Sequence, residues 1–183
     1  MVALIYIFQT LWSLYLGLFL VRFLMQLVRA DFRNDVANAI VKLTNPLILP
    51  LRRVLPPIGK LDTASIAAIL LLTVGKILSL RLIANVPLPT PIGWLYSVTV
   101  DIAISLLWVL FWCIALTALI SFLTQGAYTP VTALLSSISE PVLRPIRRLI
   151  PSFVSGFDLS YLWAGILIQA LIILITTSLP PAF

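Results

Sequence analysis

Four apolar stretches, each long enough to cross a bilayer, constrain this chain more than any other feature. They run from about Val2 to Val28, Ala64 to Val86, Ile92 to Leu123 and Leu159 to Leu179. A helix of roughly 20 apolar residues spans the roughly 30 Å hydrocarbon layer, and none of the four has a central proline. The third exceeds a straight crossing, so it is expected to tilt or to extend past the bilayer. With 61% of its 183 residues hydrophobic and 10% charged, the chain lacks the polar shell of a soluble domain. The expected fold class is an all-α membrane protein with four transmembrane helices. The first stretch has no basic leader and no small-residue cleavage site, so it is expected to stay as a membrane helix.

The net charge of +6 does not point to nucleic acid. The basic residues lie at helix ends and in two loops, with no aromatic-interleaved basic surface. Arg29, Arg33, Lys42, Arg52, Arg53 and Lys60 separate the first two stretches, and Arg144, Arg147 and Arg148 separate the last two. The middle connection, around Pro87, Pro89 and Pro91, is uncharged, as are both tails. By the positive-inside rule both basic loops face the cytoplasm and both termini face outward, with the basic residues in contact with anionic lipid headgroups.

The basic loops carry helical periodicity. Val36, Ile40 and Leu43 recur in the first, and Val131, Leu134, Leu135 and Ile138 in the second. Each is too short to span, as expected for an amphipathic helix at the interface. Pro46 and Pro141 are expected to end these helices.

An internal repeat organises the whole. Pro46–Pro56 reads PLILPLRRVLP and Pro141–Pro151 reads PVLRPIRRLIP. Pro46, Pro50, Arg52, Arg53 and Pro56 thus match Pro141, Pro145, Arg147, Arg148 and Pro151; of the other positions only Leu49 against Arg144 differs in kind. Leu61-Asp62 is answered by Phe157-Asp158, and Gln26 by Gln125. The chain divides into repeats at 1–91 and 92–183, each holding two membrane helices. An even number of crossings per repeat gives both copies one orientation, with a pseudo-two-fold axis along the membrane normal. The spaced prolines favour an extended or kinked path, and Asp62 and Asp158 are placed to cap the helices that follow.

The doubled P-x-x-x-P-[LI]-R-R-x-[LI]-P motif, each copy followed by Asp before a membrane helix, resembles the YggT family of bacterial and chloroplast membrane proteins over nearly the whole chain. The resemblance implies a multi-pass protein of the bacterial inner membrane, with links to osmotic and ion homeostasis, to cell division and septum or nucleoid organisation, and, in plastids, to cytochrome b6 haem attachment. It implies no agreed activity.

Charges inside the apolar stretches are functional candidates in their own right. Lys76, Arg81 and Asp101 are the ones here; Arg81 and Asp101 lie near the outer ends of their helices, and Lys76 about 8 Å deeper than Arg81. Lys76 is expected to pair with Asp101, snorkel or line an ion path, and Arg81 is a further partner for Asp101. Arg22 reads as a snorkelling side chain, and Gln26, Ser121 and Gln125 as solvated at the interface first and as hydrogen-bonded between helices second. Trp12, Trp94 and Trp163 suit interfacial belts, while Trp108 and Trp112 suit packing. With no histidine, a single Cys113 in an apolar run and six acidic residues, neither a metal site nor a nucleophile–base pair assembles.

These readings leave a non-enzymatic membrane protein with no cofactor. The first expectation is a cytoplasmic-face platform for anionic lipid or partner proteins, centred on the proline–arginine motifs and supporting envelope organisation and osmotic stress tolerance. The second is an ion channel or transporter component, homo-oligomeric because four helices make a thin bundle, with Lys76, Arg81 and Asp101 along its path. The third is an assembly factor for another membrane complex.

Overall fold

The computed structural model describes residues 2–30, 34–57, 62–124, 129–149, 153–154 and 157–178. Arg33, Lys60, Leu61, Gln125 and Pro151, singled out above, lie outside the described residues, as does the side chain of Phe157. Among the described residues six helices form: α1 (Val2–Leu27), α2 (Asp35–Val54), α3 (Thr63–Ala84), α4 (Pro91–Leu123), α5 (Pro130–Leu149) and α6 (Ser160–Ser178). A two-residue antiparallel ladder, β1 (Phe153–Val154) with β2 (Phe157–Asp158), joins α5 to α6, a small exception to the all-helical expectation.

α1, α3, α4 and α6 are long and apolar enough to cross a membrane. Their surface is inverted relative to a soluble protein: Leu11 and Trp112 are 61% and 57% exposed, while Arg22, Asp62, Lys76 and Asp101 are buried. Such a distribution is stable only where the outer medium is apolar. Trp112, expected in packing, faces outward with Trp108 and is braced edge-on by Phe111 of its own helix. Trp12 instead packs inward across Gly75, where an added Cβ would lie 3.3 Å from the indole. Gly75 is what lets α1 and α3 approach there.

Helix ends follow local chemistry. Asn34 caps α2 by accepting from the Ala37 N–H at 2.7 Å, and Thr90 caps α4 through the Gly93 N–H, with Pro91 at the first helical position. Asn85 closes α3 at φ 57°, a left-handed cap that asparagine tolerates. At 33 residues α4 is about 50 Å long, well beyond one hydrocarbon layer.

Among the described residues the core falls into three clusters. One joins Leu16, Phe19 and Leu20 of α1 to Ile48 of α2 and Ala64, Ala68 and Ile69 of α3. A second repeats this in the other half, with Ile114 of α4, Leu143 and Ile146 of α5, and Ala164, Ile168 and Ile172 of α6. The third, including Met25, Ala37, Ile40, Cys113, Leu134 and Ile138, joins the halves where α1, α2, α4 and α5 meet. The repeat is visible in burial: Thr44 and Ser139, Ile48 and Leu143, Ala68 and Ala164 are matched and buried. In α5 the expected stripe seats on the bundle through Leu134 and Ile138. In α2 it is rotated: Ala37, Ile40, Thr44 and Ile48 face inward, while Val36 and Leu43 are exposed.

α2 and α5 also overturn the proline expectation. α2 continues through Pro46 and Pro50 to Val54, and α5 through Pro141 and Pro145 to Leu149. Prolines four residues apart share one helix face, and all four rings lie on the exposed face. The hydrogen bonds they remove are therefore on the side where water or headgroups can satisfy the freed carbonyls. The opposite, buried face keeps its packing, which outweighs roughly 3 kcal/mol of lost propensity per proline.

Candidate functional site

The continuous helix gives each arginine pair two different roles. Arg52 and Arg147 turn toward the bundle. Arg52 Nη2 donates to Asp62 Oδ2 at 2.6 Å and its Nε to Oδ1 at 3.4 Å. Asp62 Oδ2 also accepts from Ser65 Oγ at 2.8 Å and from Gln26 Nε2 at 3.2 Å. One carboxylate, 7% exposed, thereby ties α1, α2 and α3 together. Burial pushes the Asp62 carboxyl up, but hydrogen bonds from Arg52, Ser65 and Gln26 prevail and hold it down at about 2.

Asp62 does stand at the N-cap position of α3, yet its side chain accepts no backbone N–H there. Its carbonyl oxygen takes the Ser65 and Ile66 N–H groups, leaving the carboxylate to the arginine lock. Gln26 takes the interhelical hydrogen bond rather than interfacial solvation and belongs to this lock, one turn from Arg22 on α1.

Arg147 repeats the arrangement with additions. Its Nε and Nη2 lie 3.0 and 2.9 Å from Asp158 Oδ2, its Nη1 donates to Glu140 Oε2 at 3.0 Å, and its guanidinium sits 5.7 Å from the Tyr161 ring centroid. Asp158 Oδ1 accepts from the Ser160 N–H at 2.9 Å, so here the aspartate both caps α6 and holds the arginine. Against the upward push of burial, the hydrogen bonds of Ser160 and the charge of Arg147 hold the Asp158 carboxyl below its usual range. Burial lowers Arg147, but the charges of Asp158 and Glu140 outweigh it and raise its pKa.

Arg53 and Arg148 are exposed and make no hydrogen bond or ion pair among the described residues. They project from the last turns of α2 and α5, where positive charge is also favoured by the helix dipole.

Arg22 is not a snorkelling side chain. It is 3% exposed, and its Nη1 lies 2.5 Å from Thr44 Oγ1, 2.9 Å from Asn45 Oδ1 and 3.2 Å from Val41 O. It seats α2 on α1 just before Pro46. The signal available in sequence was its spacing: Arg22 and Gln26 are four residues apart and share a face, opposite a polar Thr-Asn pair in α2.

Deeper in the bundle, Lys76 Nζ of α3 meets Asp101 Oδ1 of α4 at 2.7 Å, each side chain 5% exposed. This pair joins the two halves. Arg81 instead donates to Pro87 O at 2.7 Å in the connection between α3 and α4. Aligning Asp158 on Asp62 places Ile172 opposite Lys76, and both are buried. The ion pair is therefore an addition to the repeat.

Comparison with known proteins agrees with this layout. The model of the CCB3/YggT family matches residues 1–83 and 96–179, one segment in each half. The chain is 38% identical over 178 residues to an uncharacterized protein of Pseudomonas aeruginosa, covering 97% of this chain and 90% of the relative. It is 35% identical over 159 residues to the uncharacterized protein YggT of Escherichia coli strain K12, covering 86% and 81% respectively. A Vibrio alginolyticus relative is 35% identical over 158 residues, covering 86% and 84%. No solved structure matches the chain.

Proposed function

The chain belongs to the CCB3/YggT family of membrane proteins, and from that premise we propose that it is a non-enzymatic platform on the cytoplasmic face of the bacterial inner membrane. The observation that carries this reading is the split within each arginine pair. Arg52 and Arg147 lock their helices to Asp62 and Asp158, which orients Arg53 and Arg148 outward at the ends of two adjacent amphipathic helices. A topology signal needs only charge; a backbone held by an ion pair presents that charge at a defined place. Anionic headgroups and acidic partner segments are its natural ligands. Both basic segments then face the cytoplasm and both termini face outward, and the protein serves envelope organisation and osmotic stress tolerance.

The test uses vesicles containing a fluorescent anionic lipid, with energy transfer from the protein's tryptophans reporting local enrichment. Arg53→Gln with Arg148→Gln lowers the enrichment while helicity is unchanged. Equal enrichment around both proteins contradicts the reading.

A second reading, an ion or proton path, is favoured by the buried Lys76–Asp101 pair, because intramembrane charge is costly to keep without a use. Flux into vesicles that falls on Lys76→Met with Asp101→Asn supports it; flux absent from the unmodified protein over a range of ions and voltages removes it.

A further inference from the structure

The second half departs from the first at three places that converge on one spot. An open groove of about 440 Å³ runs between α4 and α6, lined by Phe111, Ala115, Ala118, Leu162, Gly165 and Ile166, with Asp158 and Tyr161 at its end. Aligning Asp158 on Asp62 sets Gly165 opposite Ile69, which is 5% exposed in the first half. Gly165, with no side chain, forms part of the groove wall. Arg144 stands where the first motif has Leu49, and Glu140 where it has Asn45. These two new charges extend the cluster at the groove's end: Arg144 Nε lies 3.9 Å from Glu140, which holds Arg147, which holds Asp158. Arg144 is 67% exposed.

We propose that this groove seats one acyl chain of a phospholipid whose phosphate is held by Arg144. The groove's size is that of a small-molecule site. Its wall residues Leu162 and Ile166 are exposed on the outer face of a membrane span, so the medium that fills it is hydrocarbon. Its polar end, Asp158, sits where α6 begins and is linked through Arg147 and Glu140 to Arg144, an exposed guanidinium suited to a phosphate. Apolar floor, interfacial mouth and added arginine are the three requirements for a lipid of this chemistry. The inference goes beyond the headgroup platform and stands without Arg53 or Arg148.

The test is photocrosslinking of the full chain in vesicles doped with a phospholipid carrying a mid-chain diazirine, followed by peptide mapping. Crosslinks are expected to concentrate on α4 between Phe111 and Ala118 and on α6 between Leu162 and Ile166. Gly165→Ile lowers them by about fivefold or more. A Cβ at Gly165 meets Phe111 at an ordinary 3.6 Å, and unchanged helicity of the variant checks that the fold is kept. Arg144→Gln, an exposed change, lowers them too, and a diacylglycerol probe lacking the phosphate labels the groove no more than other lipid-facing surfaces. Labelling spread evenly over the spans, labelling unaffected by Gly165→Ile, or equal labelling by the diacylglycerol overturns the proposal. So does a Gly165→Cys variant that crosslinks to a second copy, since the groove would then hold a helix.

Discussion

Replacing Arg52 with glutamine destabilises the protein, whereas the same change at its neighbour Arg53 leaves stability where it was. The magnitude follows from Asp62. Its carboxyl is held at about 2, against 3.8 for the ordinary group. A tenfold change in proton affinity is worth about 1.4 kcal/mol, which bounds the stabilisation of the charged form at about 2.5 kcal/mol. Ser65 and Gln26 keep their share when Arg52 is removed, and the Arg52 side chain is 40% exposed, so screening trims what it contributes to about 1 kcal/mol. Because the folded carboxyl lies below its unfolded value, this stability is fully present above about pH 4 and is lost as pH falls toward 2. The assay is unfolding in mixed micelles by denaturing detergent, followed by helicity, at pH 7 and at pH 2.5. Arg52→Gln shows a deficit at pH 7 that narrows at pH 2.5, and Arg53→Gln shows none at either. Equal deficits for the two arginines would refute the division of roles within the pair, as would a deficit for Arg52→Gln that ignores pH.

Lys76→Met leaves Asp101 charged and buried and costs about 3–5 kcal/mol, while Lys76→Met with Asp101→Asn recovers most of that; the same unfolding titration on both variants checks the pair. Arg22→Ala removes the donor shared by Thr44, Asn45 and Val41 and costs about 2 kcal/mol, read as early loss of α2 protection in hydrogen exchange. Replacing Pro46 and Pro50 together with alanine keeps α2 helical and does not raise exchange along it, because the helix already runs through both prolines; faster exchange beyond Pro46 would contradict that.

The membrane spans and the doubled motif are legible in the sequence because each rests on a strong local signal, length of apolar run in one case and residue identity in the other. What the prolines do is not. The rule that proline ends a helix is local, and here tertiary packing of Thr44 and Ile48 on one face overrides it while the rings sit on the other. Arg22 escapes a local reading for a related reason: snorkelling is the fate of an arginine near a helix end only when no polar group waits inside the protein, and Thr44 and Asn45 become neighbours of α1 only in the fold. The arginine pairs look equivalent as letters, yet one helical step of about 100° turns Arg52 onto Asp62 and Arg53 away from it. That Gly165 stands opposite Ile69 is legible in the repeat, but the groove beside it depends on how α4 and α6 pack and is not.

The most direct test of the account is which side of the membrane each arginine motif faces. With Cys113 replaced, single cysteines at Arg53, Arg148 and Thr90 are labelled by a membrane-impermeant maleimide in inside-out and right-side-out vesicles. Arg53→Cys and Arg148→Cys are expected to react from the cytoplasmic side and Thr90→Cys only from the other. Reaction of Arg53→Cys and Arg148→Cys from opposite sides would contradict a single platform built by two parallel repeats.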